Sequence, residues 1–232
     1  LKADQLIFSA LASSYSVLTD DEKELGICVV DIGAGTMDIS VFTGGALRHT
    51  AVIPVAGNQV TSDIAKIFRT PLSHAEDIKV QYACALRQLV SMEENIEVPS
   101  VGGRAARSMS RHTLAEVVEP RYHELFELIQ EELRACGLED QIAAGYVLTG
   151  GTAKMEGVVE FAEEVFQMPV RVAQPQDVCG LKEYVNDPAY ATVVGLLHYG
   201  MQANEQISGE TKTTTGVGSF GARVLAWFKG EF

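Results

Sequence analysis

The sequence predicts an α/β domain with a second subdomain inserted in it, and three observations predict it. Ile27–Ile32 is an apolar run interrupted only by Asp31 near its end, which marks a central strand covered on both faces. Two further strand-like runs follow it at hairpin spacing, and a second buried run at Tyr146–Thr149 is succeeded by alternating helix and strand patterns. Composition agrees: 232 residues, 47% hydrophobic and 21% charged, suit one large folded domain or two small ones.

Taken in order, residues 4–18, "DQLIFSALASSYSVL", read as a helix rich in small residues, and Asp20–Gly26 as an acidic turn. Strand Ile27–Ile32 leads through Gly33-Ala34-Gly35-Thr36 into Met37–Phe42, and Gly44-Gly45 turns the chain into "LRHTAVIPV", giving a β-meander. A helix over residues 58–69 ends before Thr70-Pro71. Ser73 with Glu76 and Thr113 with Glu116 have capping-box spacing and are each expected to open a helix. Between them "IEVPSVGGRAARSMS" is strand-like with a Gly-Gly turn. The helix from Leu114 runs to Cys136, with a kink expected at Pro120, and stops at Gly137. "AAGYVLTGG" is a buried strand feeding a glycine turn, followed by a helix over 157–167 and a short strand over 169–173. Asp187-Pro188 supplies an N-cap and a proline at the first helical position for "AYATVVGLLHYG". The predicted division is a connecting helix and acidic turn (1–25), a core (26–57 and 143–200), an inserted subdomain (58–142), a polar linker (201–216) and an amphipathic helix (217–232).

Charge and cysteine usage narrow the function. A net charge of −13 argues against a nucleic-acid backbone as partner. Cys28, Cys84, Cys136 and Cys179 are scattered without metal-ligand spacing and read as buried apolar residues of a reducing compartment. No apolar run reaches the ~18 residues of a membrane span, and the first residue, Leu1, suggests a piece of something longer.

"VVDIGAGTMDIS" raises a chemical question. A turn of small residues between two strands aims consecutive N–H groups at one point, which suits an anion. The Thr36 hydroxyl adds a donor, and Asp31 at the strand end suits Mg2+ held through water. The same residues also suit a plain hairpin in which Asp31 and Asp38 cap the turn. "YVLTGGTAK" presents a second glycine turn, Gly150-Gly151, against which a flat base can slide, with the Lys154 stem available to cover its other face. Two such turns on one sheet favour a nucleotide over two unrelated connectors.

These motifs resemble those of the actin/Hsp70/sugar-kinase superfamily: "DIGAGTMDIS" its second phosphate hairpin, "YVLTGGTAKMEG" its adenosine motif, "FSALASSYSVL" and "AYATVVGLLHYG" its two connecting helices. With "SHAEDIK", "VPSVGGR" and "LAEVVEPRYHEL" included, the resemblance extends over nearly the whole chain to the FtsA family of bacterial cell-division proteins. It implies an actin-like (ribonuclease H-like) domain with an inserted subdomain (2A and 2B), the second half of the bilobal actin/Hsp70 fold. It implies ATP and Mg2+ as ligands. Asp31 would lie near the metal, with Gly33, Ala34, Gly35 and Thr36 around the phosphates. Glu76 and Lys79 of an E-x-x-K helix would meet the ribose and adenine, and Gly150, Gly151, Thr152 and Lys154 would complete the purine pocket. For Glu76 the alternative is the capping partner of Ser73; for Lys79 it is a solvated helix face. The superfamily's first phosphate hairpin has no counterpart in these residues, so the chain is expected to bind nucleotide weakly. No catalytic residue is assigned: Ser9 stands where Hsp70-like ATPases carry a glutamate, so at most weak ATPase activity is expected. Ala10, Ala12, Ser13 and Ser14 are expected to pack on Ala189, Ala191 and Gly195 where the connecting helices cross.

In the tail, Val217, Phe220, Val224, Leu225, Trp227, Phe228 and Phe232 fall on one helical arc bordered by Arg223 and Lys229, the pattern of an interfacial helix for an anionic membrane surface. The alternative is a helix docked on the protein's own core. Arg104, Arg107, Arg111 and Arg121 concentrate basic charge, and the resemblance implies the C-terminal peptide of the tubulin-like FtsZ, neighbouring protomers and other divisome proteins as partners. Its implied location is the cytoplasmic face of the inner membrane, as a peripheral protein. The rival functions are a sugar- or acetate-kinase-like phosphotransferase and an actin-like scaffold of the shape-determining or pilus-assembly type.

Overall fold

The computed structural model describes residues 5–102, 104–178 and 185–202. The expected linker from residue 203, the amphipathic helix 217–232 with all its named side chains, and Cys179 lie outside the described residues.

The apolar runs of the sequence become a five-stranded sheet. Strands β1 (Ile27–Ile32), β2 (Met37–Thr43) and β3 (Ala46–Ile53) form the meander, and β6 (Tyr146–Thr149) and β7 (Val170–Val172) continue it on the other side of β1. The order is β3-β2-β1-β6-β7, antiparallel through the meander and parallel from β1 to β7. Strand alternation sorts the side chains into two layers. Cys28, Val30 and Ile32 of β1 face one core with Met37, Ile39 and Val41 of β2. Ile27 and Val29 face the other with Phe42 and Val147. Each fully buried Ile, Leu or Phe contributes about 1.5–3 kcal/mol; the buried Ser40 in the middle of β2 is satisfied by the Ser14 hydroxyl of the covering helix at 2.7 Å.

Helices cover both layers. Below lie α3 (Gly57–Phe68), α4 (Leu72–Tyr82), the long α5 (Arg111–Cys136) and α6 (Val158–Phe166), whose apolar faces join the first core. A separate hairpin, β4 (Asn95–Val98) with β5 (Arg107–Ser110), sits between α4 and α5. Above lie α1 (Ser9–Val17), the short α2 (Asp20–Leu25) and the helical residues 191–202, here α7.

Several local expectations need correction. The first helix begins at Ser9, not residue 4, because Phe8 is extended. The acidic stretch after it is a helix, α2, capped by Thr19, whose hydroxyl accepts from the Glu22 amide while the Glu22 carboxylate accepts from the Thr19 amide at 2.9 Å. Neither expected capping box forms. Pro71 occupies the N-cap of α4 with no side-chain cap, and α5 starts earlier, capped by the Ser110 hydroxyl, which leaves Thr113 inside the helix. Gly137 closes α5 in the left-handed conformation, as expected.

The crossing of α1 over α7 follows the small-residue pattern in part: Ala12 and Ser13 meet α7, while the Ser14 hydroxyl turns to Ser40 of β2 at 2.7 Å. A Cβ on Gly195 would lie 1.7 Å from the Ala12 carbonyl oxygen, so only glycine permits this approach. The Ser16 hydroxyl donates to the Ala191 carbonyl at 2.7 Å across the same crossing.

Candidate nucleotide site

The two glycine turns meet. Gly33 closes the β1–β2 turn by donating its N–H to the Thr36 carbonyl at 2.9 Å. Its own carbonyl accepts from the Thr152 hydroxyl of the second turn at 2.8 Å and from the Gly57 amide at 3.2 Å. The Ala34 carbonyl accepts from the Asn58 amide at 2.7 Å. With its carbonyls pinned inward, the turn presents Ala34, Gly35 and Thr36 to the outside, and among the described residues their N–H groups have no acceptor. Three exposed, unspent backbone donors on one tight turn form an anion-binding concavity.

Beside this turn opens a cleft of about 510 Å³, in the size range of small-molecule sites. Its lining includes Gly33 and Ala34 from the first turn and Gly151, Thr152 and Lys154 from the second, with Glu76 and Lys79 of α4 opposite. Seven of the eleven residues expected to hold a nucleotide therefore share one cavity. Asp31, Gly35, Thr36 and Gly150 sit at or behind the turns rather than on its walls.

Glu76 and Lys79 are neither a capping pair nor a solvated face. Lys79 is only 8% exposed, and its ammonium donates to the Thr61 hydroxyl at 2.9 Å and the Gly57 carbonyl at 3.3 Å, with the Glu76 carboxylate 2.8 Å away. Thr61 also donates to Glu76. Partial burial raises the Glu76 carboxyl, but the bonds from Lys79 and Thr61 outweigh it and hold the group below its ordinary range. Lys154 crosses the rim of the cleft to pair with Asp187, which also caps Ala189.

Asp31 ends β1 directly opposite Asp38 of β2. Its Oδ2 accepts from the Ser13 hydroxyl at 2.6 Å and from the Thr192 hydroxyl at 2.9 Å. Burial pushes its carboxyl above the usual range, the two hydroxyls pull it down, and Asp38 adds to the rise. Ser9 donates to Asp38. A carboxylate on the strand that leads into a turn of three free amides is a donor set that fits a hydrated Mg2+ on a phosphate chain, since that ion is held through few protein oxygens and its own water.

Two contributors escaped the sequence reading. Tyr122, fully buried on α5, lines the cleft and donates its hydroxyl to the Thr152 carbonyl at 2.9 Å. Thr61 links Glu76 to Lys79. Tyr122 reads as one more apolar position of α5, between Val118 and Leu125, and Thr61 lies one turn beyond Gly57, so neither carries a motif of its own.

Three of the four arginines bond to groups of the chain itself. Arg107 donates to the Phe68 carbonyl. Arg111 joins the Tyr82 carbonyl at 2.8 Å, Glu94 at 2.8 Å and Glu156. Arg121 pairs with Asp63 at 2.6 Å and with Glu124. Arg104 is exposed in the β4–β5 loop.

Comparison with known proteins agrees with this architecture. The family model described as cell division protein FtsA matches residues 28–195. The chain is 56% identical over its whole length to the cell division protein FtsA of Escherichia coli (strain K12), of which it covers 57%. It is 43% identical to that of Neisseria meningitidis serogroup B, again covering 57%. The chain thus spans little more than half the length of these curated relatives. Among solved structures, MreB 5 of Spiroplasma citri bound to AMPPNP superimposes with a TM-score of 0.65 at 20% identity, over 87% of this chain and 60% of that one. The MamK double helical filament superimposes with a TM-score of 0.62 at 18% identity, over 83% and 58%. The fold is actin-like, and the chain belongs to the FtsA family of cell-division proteins.

Proposed function

We propose that this chain is the half of an ATP-binding, actin-like filament subunit that holds the adenosine and one side of the phosphates, in a protein that tethers the FtsZ ring to the cytoplasmic face of the inner membrane. The observation that carries the nucleotide reading is the Thr152–Gly33 bond of 2.8 Å, which locks the two glycine turns side by side above one cleft. Ala34, Gly35 and Thr36 offer amides to the β- and γ-phosphates, and the Thr36 hydroxyl adds a donor. The bare face of Gly151 takes the purine on one side and the Lys154 stem lies on the other, with Gly150 packed behind it against Asp31 and Ile32. Glu76, pre-ionised by Lys79 and Thr61, accepts from the ribose hydroxyls. ATP with Mg2+ supplies the negative charge that these donors and Asp31 are arranged to meet. Ser9 is spent on Asp38 and carries no charge, so the site is built to hold nucleotide and set a shape rather than to turn it over.

The membrane contact falls to the amphipathic residues 217–232. One copy holds a bilayer weakly, and many copies on a filament hold it firmly through effective concentration. The FtsZ peptide and the other divisome partners are assigned to the arginine-bearing segment 104–121.

Isothermal titration with Mg-ATP tests the nucleotide reading. The protein at the full length of its relatives should bind, and Lys79→Met or Glu76→Ala should weaken binding at least tenfold. Unchanged affinity in both variants would sink the assignment. The present chain alone should bind little or not at all, and submicromolar affinity there would overturn the view that a second wall is needed.

A further inference from the structure

The upper face of the sheet carries a hydroxyl array that the nucleotide reading does not use. Helix α1 sets Ser9 and Ser13 one turn apart, and the hairpin below sets Asp38 and Asp31 directly opposite one another across β2 and β1. Each serine addresses one carboxylate. On Asp31 a second donor arrives from the other helix, Thr192 of α7, at 2.9 Å from the same Oδ2 atom, and the two hydroxyls lie 2.9 Å from each other.

This triangle has a chemical property of its own. Three oxygen–oxygen contacts share two hydroxyl protons, so no more than two of the three are hydrogen bonds at once. With both protons on Oδ2 the carboxylate is held from two sides. If α1 and α7 shift, Thr192 can give its proton to Ser13 instead, and Asp31 keeps one donor. The number of donors on Asp31 therefore depends on how the helices cross. The crossing itself is fixed one turn along α7 by Gly195 against Ala12, the neighbour of Ser13. The other carboxylate oxygen, Oδ1, faces the second glycine turn, 2.4 Å from where a Gly150 Cβ would stand. Turning the carboxylate thus moves an oxygen at the edge of the nucleotide site.

We propose that Ser13 and Thr192 are positioning residues that aim the Asp31 carboxylate and make its aim depend on the crossing of α1 and α7. This rests on the nucleotide reading above. The test uses the protein at the full length of its relatives, with Ser13→Ala, Thr192→Val and the conservative Thr192→Ser. The first readout is the factor by which Mg2+ tightens ATP binding, measured by titration in Mg2+ and in EDTA. The second is the slowing of amide exchange within residues 9–17 when Mg-ATP is added. Ser13→Ala and Thr192→Val should reduce the Mg2+ factor at least fivefold, leave binding in EDTA within twofold, and abolish the ATP-dependent slowing; Thr192→Ser should restore both. A merely structural role would lower the melting temperature and speed exchange equally with and without nucleotide. A Mg2+ factor within twofold of the unsubstituted protein in both variants overturns the proposal while leaving the nucleotide site intact. If the unsubstituted protein binds no ATP in either buffer, the nucleotide reading falls and this proposal falls with it.

Discussion

Replacing Gly150 by alanine tests the contact between the two glycine turns. Gly150 has φ of +88°, and an added Cβ would stand 2.4 Å from Asp31 Oδ1 and 2.5 Å from the Ile32 carbonyl oxygen. The second neighbour is central-strand backbone and cannot step aside. Holding an alanine at that φ costs about 1–2 kcal/mol, and relieving the overlap costs a further ~1–3 kcal/mol. The sum, roughly 2–5 kcal/mol, corresponds to a fall of about 5–15 °C in Tm for a chain of this size. Gly35→Ala is the control: it has nothing within 4 Å and no positive φ, so its stability should stay within about 0.5 kcal/mol or rise slightly, because alanine narrows the unfolded ensemble. Urea unfolding of the two variants beside the unsubstituted chain gives the comparison. Gly150→Ala within 0.5 kcal/mol of Gly35→Ala, on the scale of an ordinary surface change, would refute the close approach on which the site's geometry depends.

Tyr122→Phe removes one oxygen and leaves the Thr152 carbonyl without that donor, which should cost about 1–2 kcal/mol in urea unfolding. Glu76 has a folded pKa held below its ordinary 4.5, so its contribution is present above about that pH and is lost as pH falls through the folded value. Lys79→Met should therefore flatten the acid limb of a stability–pH curve, and an unchanged limb would count against the pair. Arg104→Glu should leave stability within about 0.5 kcal/mol and weaken binding of the FtsZ C-terminal peptide; unchanged affinity removes it from that site. Arg121→Glu would place a third carboxylate against Asp63 and Glu124 and should destabilise the fold, so its peptide affinity is informative only beside its melting curve. Deleting residues 217–232 should end co-sedimentation with anionic vesicles, and persistent pelleting would refute the anchor.

The strands were legible because burial on both faces leaves a signature in composition: Ile27–Ile32 and Tyr146–Thr149 admit only apolar residues until Asp31 and Thr149 at their ends. The second glycine turn was legible because Gly150, at φ +88° against Asp31 and Ile32, has no room for a Cβ; the first turn was legible from its run of small residues between two strands, since Gly33 and Gly35 carry no positive φ. Helix starts were not. Thr19-Asp20-Asp21-Glu22 has the same spacing as Ser73–Glu76 and Thr113–Glu116, yet it alone forms the reciprocal cap. The pattern of four residues is identical, and the difference lies in where neighbouring structure lets the helix begin, with Pro71 fixing one start and Ser110 the other. Lys79 was illegible because its burial comes from α3, whose Thr61 and Gly57 approach it from 18 and 22 residues away. For the arginines, sequence shows their charge and hides their partners. Three of them are committed within the chain.

The contact of Gly195 with the Ala12 backbone has a mechanical consequence. At that point main chain meets main chain, while the Ser16–Ala191 and Ser13–Thr192 hydrogen bonds tie the same two helices beside it, so rotation about the Gly195 contact disturbs fewer bonds than sliding one helix along the other. Gly195 is then a fulcrum. Residue 202 lies seven residues beyond it, a lever arm of about 10 Å at 1.5 Å per residue, so a swing of about 10° carries that end by about 2 Å. A valine at 195 should lengthen the distance between the axes and turn a sharp pivot into a loose one.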